Sequence, residues 1–279
     1  TPRGGEVPLE LLAVAVASVG SGVAAGIPVQ ELREEADSRV TLNLRDRDLG
    51  VPGALVLASL IPIMGTLTSL NLRNNQIGTR TAGGKAIAEA LAVSGSLRSL
   101  NLGVCGIGAE GGVAIAEALR VNGSLTELVM CKSRIGDEGA KAIGAALAVN
   151  GSLTSLNISA NMIGPEGGVA IAEALKVNSS LTSLDLEGNY DDYGNPDYNG
   201  IGTKGGKAIG AALAVNCSLA SLNLFHNKMG DAGAAAIAEA LKVNGSLTSL
   251  NLLGNNNIGC KAKKTLKEAA WQARLSVFV

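Results

Sequence analysis

The chain has 279 residues, a formal net charge of −1, and aromatic side chains at only 2% of its positions. A nearly balanced charge leaves no electrostatic footprint for nucleic acid or for an anionic membrane, so neither is expected as a partner. The four cysteines form no CxxC pair, which argues against a disulfide framework and indicates reduced thiols in an intracellular, most simply cytoplasmic, compartment. The first residue is Thr1, which leaves import into an organelle open.

Residues 1–38 are expected to form an N-terminal helical cap. Within them, the stretch 9–29 is apolar enough to suggest a signal or membrane segment. Glycines and Pro28 interrupt this stretch, and Glu6 and Glu10 are unlike the basic leader of a signal peptide. A helix that covers the first repeat is therefore the favoured interpretation, and no membrane insertion is expected.

From residue 67 onward one six-residue pattern returns as LTSLNL, LRSLNL, LTELVM, LTSLNI, LTSLDL, LASLNL and LTSLNL. The copies start at 67, 97, 125, 153, 181, 219 and 247, so most spacings are 28 residues, and a degenerate earlier copy is VTLNL at 40–44. A fixed period of this length predicts a solenoid. We expect eight repeats of about 28 residues over 39–266, with caps at 1–38 and 267–279, in one continuous domain.

Residues 153–180 show what each unit should form. Leu153, Leu156 and Ile158 fit a short strand, and Ile171 with Leu175 fits the buried face of a helix. Parallel strands lie about 4.8 Å apart, whereas packed helices need about 8–10 Å between their axes. The predicted fold is therefore an α/β horseshoe with a parallel sheet on the concave face and helices on the convex face.

The pattern LxxLxLxxNxIGxxGxxxIAxAL resembles the leucine-rich repeat, in the long subtype typified by ribonuclease inhibitor, the sensor domains of NOD-like receptors and the GTPase-activating protein of Ran. The resemblance covers Val40 to about Leu266. It implies a column of buried polar side chains that hydrogen-bond the loop backbone, so Cys105 is interpreted as a structural residue rather than a nucleophile. The members of this column are Asn75, Cys105, Ser133, Asn161, Asn189, Asn227 and Asn255.

Asn-x-Ser sequons could suggest a secreted, glycosylated protein. Five of the six occur at the same turn between helix and strand, where asparagine is favoured for its geometry. The structural interpretation is therefore preferred. The sequons begin at Asn122, Asn150, Asn157, Asn178, Asn216 and Asn244.

Catalytic motifs are missing from the sequence. His226 is the only histidine, and neither a GxSxG motif nor a phosphate-binding loop occurs. We therefore expect no catalytic residues, no cofactor and no metal site, and we interpret the chain as a non-enzymatic protein-interaction scaffold or a bound subunit of a larger assembly. Two alternatives stay open. One is a GTPase-activating protein resembling that of Ran, for which Arg73 and Asn74 are the candidates, and the other is the ligand-sensing repeat region of an immune-type receptor.

One insertion breaks the period near 190–199 and reads YDDYGNPDYNG from residue 190 to 200. Insertions in solenoids often form the binding face, and tyrosines provide large, rigid contact area. A variable column on the concave face also becomes apolar towards the C-terminal half. We therefore predict that another protein, whose identity the sequence does not specify, contacts Tyr190, Tyr193, Tyr198, Glu187, Phe225, His226 and Leu253.

Two other interpretations of the insertion remain. It could be a duplication scar without a partner. Residues 195–200 also match half of a calcium loop, but Gly206 stands where the bidentate glutamate belongs.

The last residues, KAKKTLKEAAWQARLSVFV, show an amphipathic pattern that predicts a closing helix. In this helix Leu266, Trp271 and Leu275 are expected to cover the last repeat while the lysines stay in water.

Overall fold

A computed structural model of the chain describes residues 40–78, 82–188 and 200–279, together with Ile27 and Ser38. The predicted N-terminal cap lies almost entirely outside the described residues. The same is true of Tyr190, Tyr193 and Tyr198.

Nine short strands pair in chain order into one open parallel sheet over the described residues. Each strand has three residues, and the central residue of the first eight is a leucine that points into the core. The strands are β1 (Thr41–Asn43), β2 (Ser69–Asn71), β3 (Ser99–Asn101), β4 (Glu127–Val129), β5 (Ser155–Asn157), β6 (Ser183–Asp185), β7 (Ser221–Asn223), β8 (Ser249–Asn251) and β9 (Ser276–Phe278).

A helix follows each of the first eight strands and leads back to the next one, which is the predicted unit. The helices are α1 (Gly50–Leu60), α2 (Ala82–Val93), α3 (Gly108–Val121), α4 (Gly136–Leu147), α5 (Pro165–Leu175), α6 (Gly202–Leu213), α7 (Gly230–Leu241) and α8 (Cys260–Gln272). Because neighbouring helices and neighbouring strands both contact each other in chain order, one hydrophobic core runs between the two layers. The predicted α/β solenoid is confirmed.

Small residues let the helices approach each other closely. A Cβ atom added to Gly144 of α4 would lie 2.7 Å from the Ala170 carbonyl oxygen in α5, and one added to Gly210 of α6 would lie 2.6 Å from the Ala236 carbonyl carbon in α7. Backbone atoms cannot yield to such contacts without moving a whole helix. The glycines therefore maintain the close lateral packing of neighbouring helices.

The buried polar column hydrogen-bonds the loops, as the family resemblance implies. Asn75 Nδ2 donates to the carbonyls of Leu44 and Leu72 at 2.7 and 2.8 Å, and Asn75 Oδ1 accepts from Arg47 N at 3.0 Å. Cys105 takes the same position in the next repeat, where its Sγ donates to the Leu72 carbonyl at 3.0 Å. Burial raises the pKa of the Cys105 thiol to about 11, so this thiol stays protonated and structural.

A second asparagine column lies at the turns between helix and strand. Asn150 is buried and uses both ends of its amide, because Nδ2 donates to the carbonyls of Leu119 and Asn122 while Oδ1 accepts from the backbone N–H groups of Ser152 and Leu153. The same bonds recur in the neighbouring repeats. These hydrogen bonds give the five asparagines the structural duty at the turns that the sequence predicts. The column is Asn122, Asn150, Asn178, Asn216 and Asn244.

The predicted closing helix is correct only in part. Leu266 and Leu275 are buried, but Trp271 is 85% exposed and does not cover the last repeat. Helix α8 ends at Gln272, and the chain then forms β9, one strand more than the eight repeats predicted. The C-terminal cap therefore consists of the end of a helix and a strand that continues the sheet.

Candidate partner-binding site on the concave face

In seven of the first eight strands the last residue, an asparagine or an aspartate, accepts a hydrogen bond from the backbone N–H two positions further on. Asn223 Oδ1 accepts a hydrogen bond from Phe225 N, and Asn251 Oδ1 accepts one from Leu253 N, both at 3.1 Å. Asp185 does the same for Glu187 N at 3.0 Å. These side chains act as caps that fix the direction of the variable concave column. Sequence reasoning missed this duty, because the alternation of a strand predicts only that they point to solvent.

Three residues of the predicted site lie on successive strands. Asp185, Asn223 and Asn251 are in register in the sheet, so the residues two positions further on, Glu187, Phe225 and Leu253, form one row across the ends of β6, β7 and β8. Leu253 is 44% exposed, and Glu187 and Phe225 are half-buried. The row presents a carboxylate next to two apolar side chains.

His226 extends this row on the loop side. Its ring meets that of Phe225 edge to face, with centroids 4.7 Å apart and an interplanar angle of 61°. The His226 backbone has a φ of 56°, and its imidazole lies against Gly254, where a Cβ atom would overlap the ring. Gly254 therefore makes the room that this pair occupies.

The polar edge of the site is a hydrogen-bonded acidic pair. Asp185 accepts bonds from Asn157 Nδ2 at 3.0 Å and from Asn223 Nδ2 at 2.9 Å, and Asn223 Nδ2 also reaches Glu187 Oε2 at 3.3 Å. Burial raises the pKa of the Asp185 carboxyl, although hydrogen bonds from the Glu187 backbone and Asn223 oppose the shift. The concave face is thus acidic at β6 and apolar at β7 and β8.

The tyrosine part of the predicted site lies outside the described residues, but both flanks of residues 189–199 are described. A Cβ atom at Gly200 would lie 2.6 Å from Asn227 Cα, and one at Gly188 would overlap the His226 carbonyl. The chain therefore leaves and rejoins the array against the loop that carries His226. This placement agrees with one contiguous site.

The N-terminal end of the concave face carries the candidates for the GTPase-activating alternative. Asn74 Nδ2 donates to Asp46 Oδ1 at 2.7 Å, and this bond contributes most to lowering the pKa of the Asp46 carboxyl. Arg45 pairs with the same carboxylate at 2.7 Å. The Arg73 guanidinium lies 3.6 Å from Cys131 Sγ. Both candidate side chains therefore contact groups within the array.

In the part of the chain that the structure describes, no group of three or more His, Cys, Asp or Glu side chains could hold a metal ion. No described helix combines the length and the apolar character that crossing a bilayer requires. The half calcium loop at 195–200 falls outside the described residues except for Gly200.

Comparison with known families matches the Leucine Rich repeat at residues 66–88, 94–116, 121–144, 149–172 and 215–238. Comparison with curated proteins finds no match. Among solved structures, the leucine-rich repeat-containing protein LegL7 from Legionella pneumophila is 22% identical with a TM-score of 0.56, over 93% of this chain and 78% of that one. This likeness supports the fold alone.

Two further solved structures are more distant. One is Leiomodin-1 Actin-Binding Site 2, which is 20% identical with a TM-score of 0.43, over 69% of this chain and 88% of that one. The other is the tropomodulin C-terminal domain from Caenorhabditis elegans, which is 14% identical with a TM-score of 0.42, over 68% of this chain and 92% of that one. At these TM-scores neither carries an argument about this chain.

Proposed function

Because this chain is a leucine-rich repeat protein, we propose that it is a non-enzymatic scaffold that binds another protein through the C-terminal half of its concave face. The observation that supports this is the row of Glu187, Phe225 and Leu253, which presents one carboxylate beside two apolar side chains on three adjacent strands. In the same column the N-terminal and central repeats carry arginine, glycine, cysteine or serine. The apolar contact area is therefore concentrated at one end.

A small aromatic cluster of this kind is typical of the residues that dominate binding energy. Phe225 is held from two sides, by the Asn223 cap on its backbone and by the His226 ring. A side chain that is already ordered loses little entropy when a partner covers it. We therefore place the energetic centre of the interface at Phe225, with Leu253 and the tyrosines of the insertion around it.

The first experiment identifies and then weakens the complex. Cross-linking and affinity purification from the native source would supply the partner, and titration calorimetry would compare variants. Phe225→Ala should weaken binding by about 1–3 kcal/mol, as truncation of a central anchor does. Ser99→Ala is the matched control, because Ser99 lies on the concave face of β3 and the hydroxyl that alanine removes bonds the Glu127 carboxylate. Asn101 would be a poor control, since its side chain caps Gly103.

A second experiment addresses the tyrosines. Deleting residues 190–199 restores the 28-residue period, so the fold should survive while binding is lost. Undiminished binding by this deletion variant would remove Tyr190, Tyr193 and Tyr198 from the site. Loss of binding by the deletion but not by Phe225→Ala would move the centre of the interface into the insertion.

The alternative, a GTPase-activating protein resembling that of Ran, would depend on Arg73 and Asn74. Asn74 already hydrogen-bonds Asp46, and Arg73 contacts Cys131. We expect no stimulation of GTP hydrolysis when the protein is assayed with a panel of small GTPases. Stimulation that Arg73→Ala abolishes would contradict the scaffold proposal. A stable co-purifying subunit in the cross-linking experiment would identify the protein as part of a larger assembly.

A further inference from the structure

Every helix from α2 to α7 has two small residues on the side that faces the following helix. A Cβ atom at Gly112 would lie 3.3 Å from Gly139 Cα of the next helix, and one at Gly206 would lie 3.2 Å from Gly233 Cα. The pairs of small residues are Gly84 and Ala88, Gly112 and Ala116, Ala140 and Gly144, Gly168 and Ala172, Gly206 and Gly210, and Ala234 and Ala238. In α8 the same two positions hold Lys263 and Lys267. A helix could not pack against these lysines at the spacing that the array uses.

The lysines belong to a local concentration of charge. Residues 260–279 contain five basic side chains and one acidic side chain, a net charge of +4 in a chain whose total is −1. Lys264 approaches Glu268 at 3.9 Å, and both side chains are largely exposed. Although the charge of the whole chain is nearly balanced, this end of the array therefore has a basic surface.

Trp271 lies in the middle of this surface. One shallow depression runs from Cys260 past Lys263 and Lys267 to Trp271, and a second runs from Trp271 to Ser276 at the start of β9. Trp271 is 85% exposed, and Phe278 on β9 is 52% exposed. Basic side chains, an exposed indole and the last strand thus form one continuous surface, which we call the end face.

The end face also includes a strand edge. The residue after each of the first eight strands donates its backbone N–H to the following strand, as Leu224 N does to Asn251 O at 2.8 Å and Leu252 N to Phe278 O at 2.7 Å. Val277 lies between two residues whose backbone groups face β8, since Ser276 N donates to Thr248 O at 3.1 Å and Phe278 O accepts from Leu252 N. Backbone groups of successive strand residues point to opposite sides, so the N–H and carbonyl of Val277 point away from β8. No strand of the described residues lies beyond β9.

We propose that the end face binds an acidic, extended segment of a partner protein, which adds to β9 as a further strand. Its backbone would pair with Val277, its carboxylates would face Lys263 and Lys267, and Trp271 would supply apolar contact area. The strand edge favours a peptide over an anionic bilayer, because lipid tails offer no hydrogen bonds to backbone groups. This surface is separate from the concave site, so an experiment that contradicts one of the two proposals leaves the other unaffected.

Trp271 is the only tryptophan, so its fluorescence reports directly on the end face. The probe is a short capped peptide of alternating glutamate and valine, with alternating lysine and valine as the charge control. The glutamate peptide should shift Trp271 emission to the blue and bind more weakly as salt is raised, while the lysine peptide should do neither. Fluorescence anisotropy of the labelled peptide gives the dissociation constant.

Two variants separate the charge from the strand edge. Lys263→Glu with Lys267→Glu should weaken binding roughly tenfold, because two attractions at the surface become repulsions. Val277→Pro removes one donor that points away from β8 and should weaken binding as well. The matched control is Arg120→Glu with Lys207→Glu, which reverses two exposed charges elsewhere on the array. Circular dichroism of all variants verifies that the fold is kept.

Three results would overturn the proposal. The first is an unchanged Trp271 emission on addition of the glutamate peptide. The second is undiminished binding by Val277→Pro, which would exclude strand addition. The third is a blue shift with phosphatidylserine vesicles and not with the peptide, which would make the end face a membrane contact instead.

Discussion

Replacing Asn150 by alanine removes a buried amide that connects three consecutive repeats. Asn150 Nδ2 donates to the Leu119 carbonyl at 2.7 Å and to the Asn122 carbonyl at 3.1 Å. Its Oδ1 accepts from Ser152 N at 3.0 Å and from Leu153 N at 2.8 Å. Alanine offers no group to replace any of these four bonds, and the side chain is buried, so water cannot substitute for it easily.

The expected cost follows from the number of partners left behind. A buried hydrogen bond contributes about 1 kcal/mol net, and an unsatisfied buried group costs about 1–3 kcal/mol. Relaxation of the turn would recover part of this, so we expect Asn150→Ala to lower the free energy of unfolding by about 3–4 kcal/mol. Ser152→Ala is the matched control in the same turn. The Ser152 hydroxyl makes only long bonds, at 3.5 Å to Asn122 O and 3.3 Å to Asn150 Oδ1, and should contribute less than about 1 kcal/mol.

Urea unfolding followed by far-ultraviolet circular dichroism measures the difference. Amide exchange then locates it, because stability in a repeat array depends on each unit and its nearest neighbours. The backbone N–H groups of Ser152 and Leu153 should lose protection first. A loss of less than about 1 kcal/mol for Asn150→Ala, or a loss equal to that of Ser152→Ala, would refute the argument that this column supports the turns.

Three other predictions concern single side chains. Iodoacetamide should label Cys217 and Cys260, which are exposed, and leave Cys105 unlabelled in the native protein, because its buried thiol has a pKa of about 11; mass spectrometry measures the pattern. Val104→Asn should raise the free energy of unfolding by about 0.5–1 kcal/mol in thermal melts, since a β-branched residue is strained at a φ of 57° and Asn74 occupies the same position in the preceding repeat. Asp185→Asn should gain stability relative to the parent protein as the pH rises. Burial raises the pKa of this carboxyl above its ordinary value of 3.8, so the folded state binds the proton more tightly and ionisation through that window costs stability only in the parent. An equal response of both proteins to pH would contradict that assignment.

Most of the fold could be predicted from the sequence because the same physical requirement is repeated along the chain. Each repeat has a leucine in the middle of its strand, such as Leu156, and an isoleucine on the core side of its helix, such as Ile171. The two recur at a constant separation in the sequence, and both are buried. The sequons were also interpretable, since five asparagines at one position of the repeat imply one geometric duty. Several copies of the same pattern therefore support each prediction, whereas a helix or strand that occurs once offers a single copy.

Predictions failed where only one copy existed. The sequence pattern predicts that Leu266 and Trp271 of the closing helix share a face, but five residues advance an α-helix by about 140°, so the two side chains diverge. The helix ends before Ser276, which pairs with Ser249, because the edge of β8 offers backbone hydrogen bonds to a further strand. The strand-end caps were missed for a different reason. The sequence pattern predicts that Asn223 is a solvent-facing strand residue. The strand is only three residues long, however, and the Asn223 side chain accepts a hydrogen bond from Phe225 N just beyond its end.

The regular positions of this array also indicate where binding can evolve. Asn150, Asn223 and Gly144 are constrained by hydrogen bonds or by close packing, so a change at such a position disturbs the neighbouring repeats. The residue two positions after each cap, such as Leu253, is fixed through its backbone N–H, and its side chain can vary without disturbing the core. Packing places no constraint on the Lys263 and Lys267 side chains, since no described helix lies beyond α8. A side chain that departs from the repeat pattern at such a position meets no structural demand within the array. Among the described residues two clusters of such departures occur, the concave row and the end face, and these are the surfaces for which we propose partners.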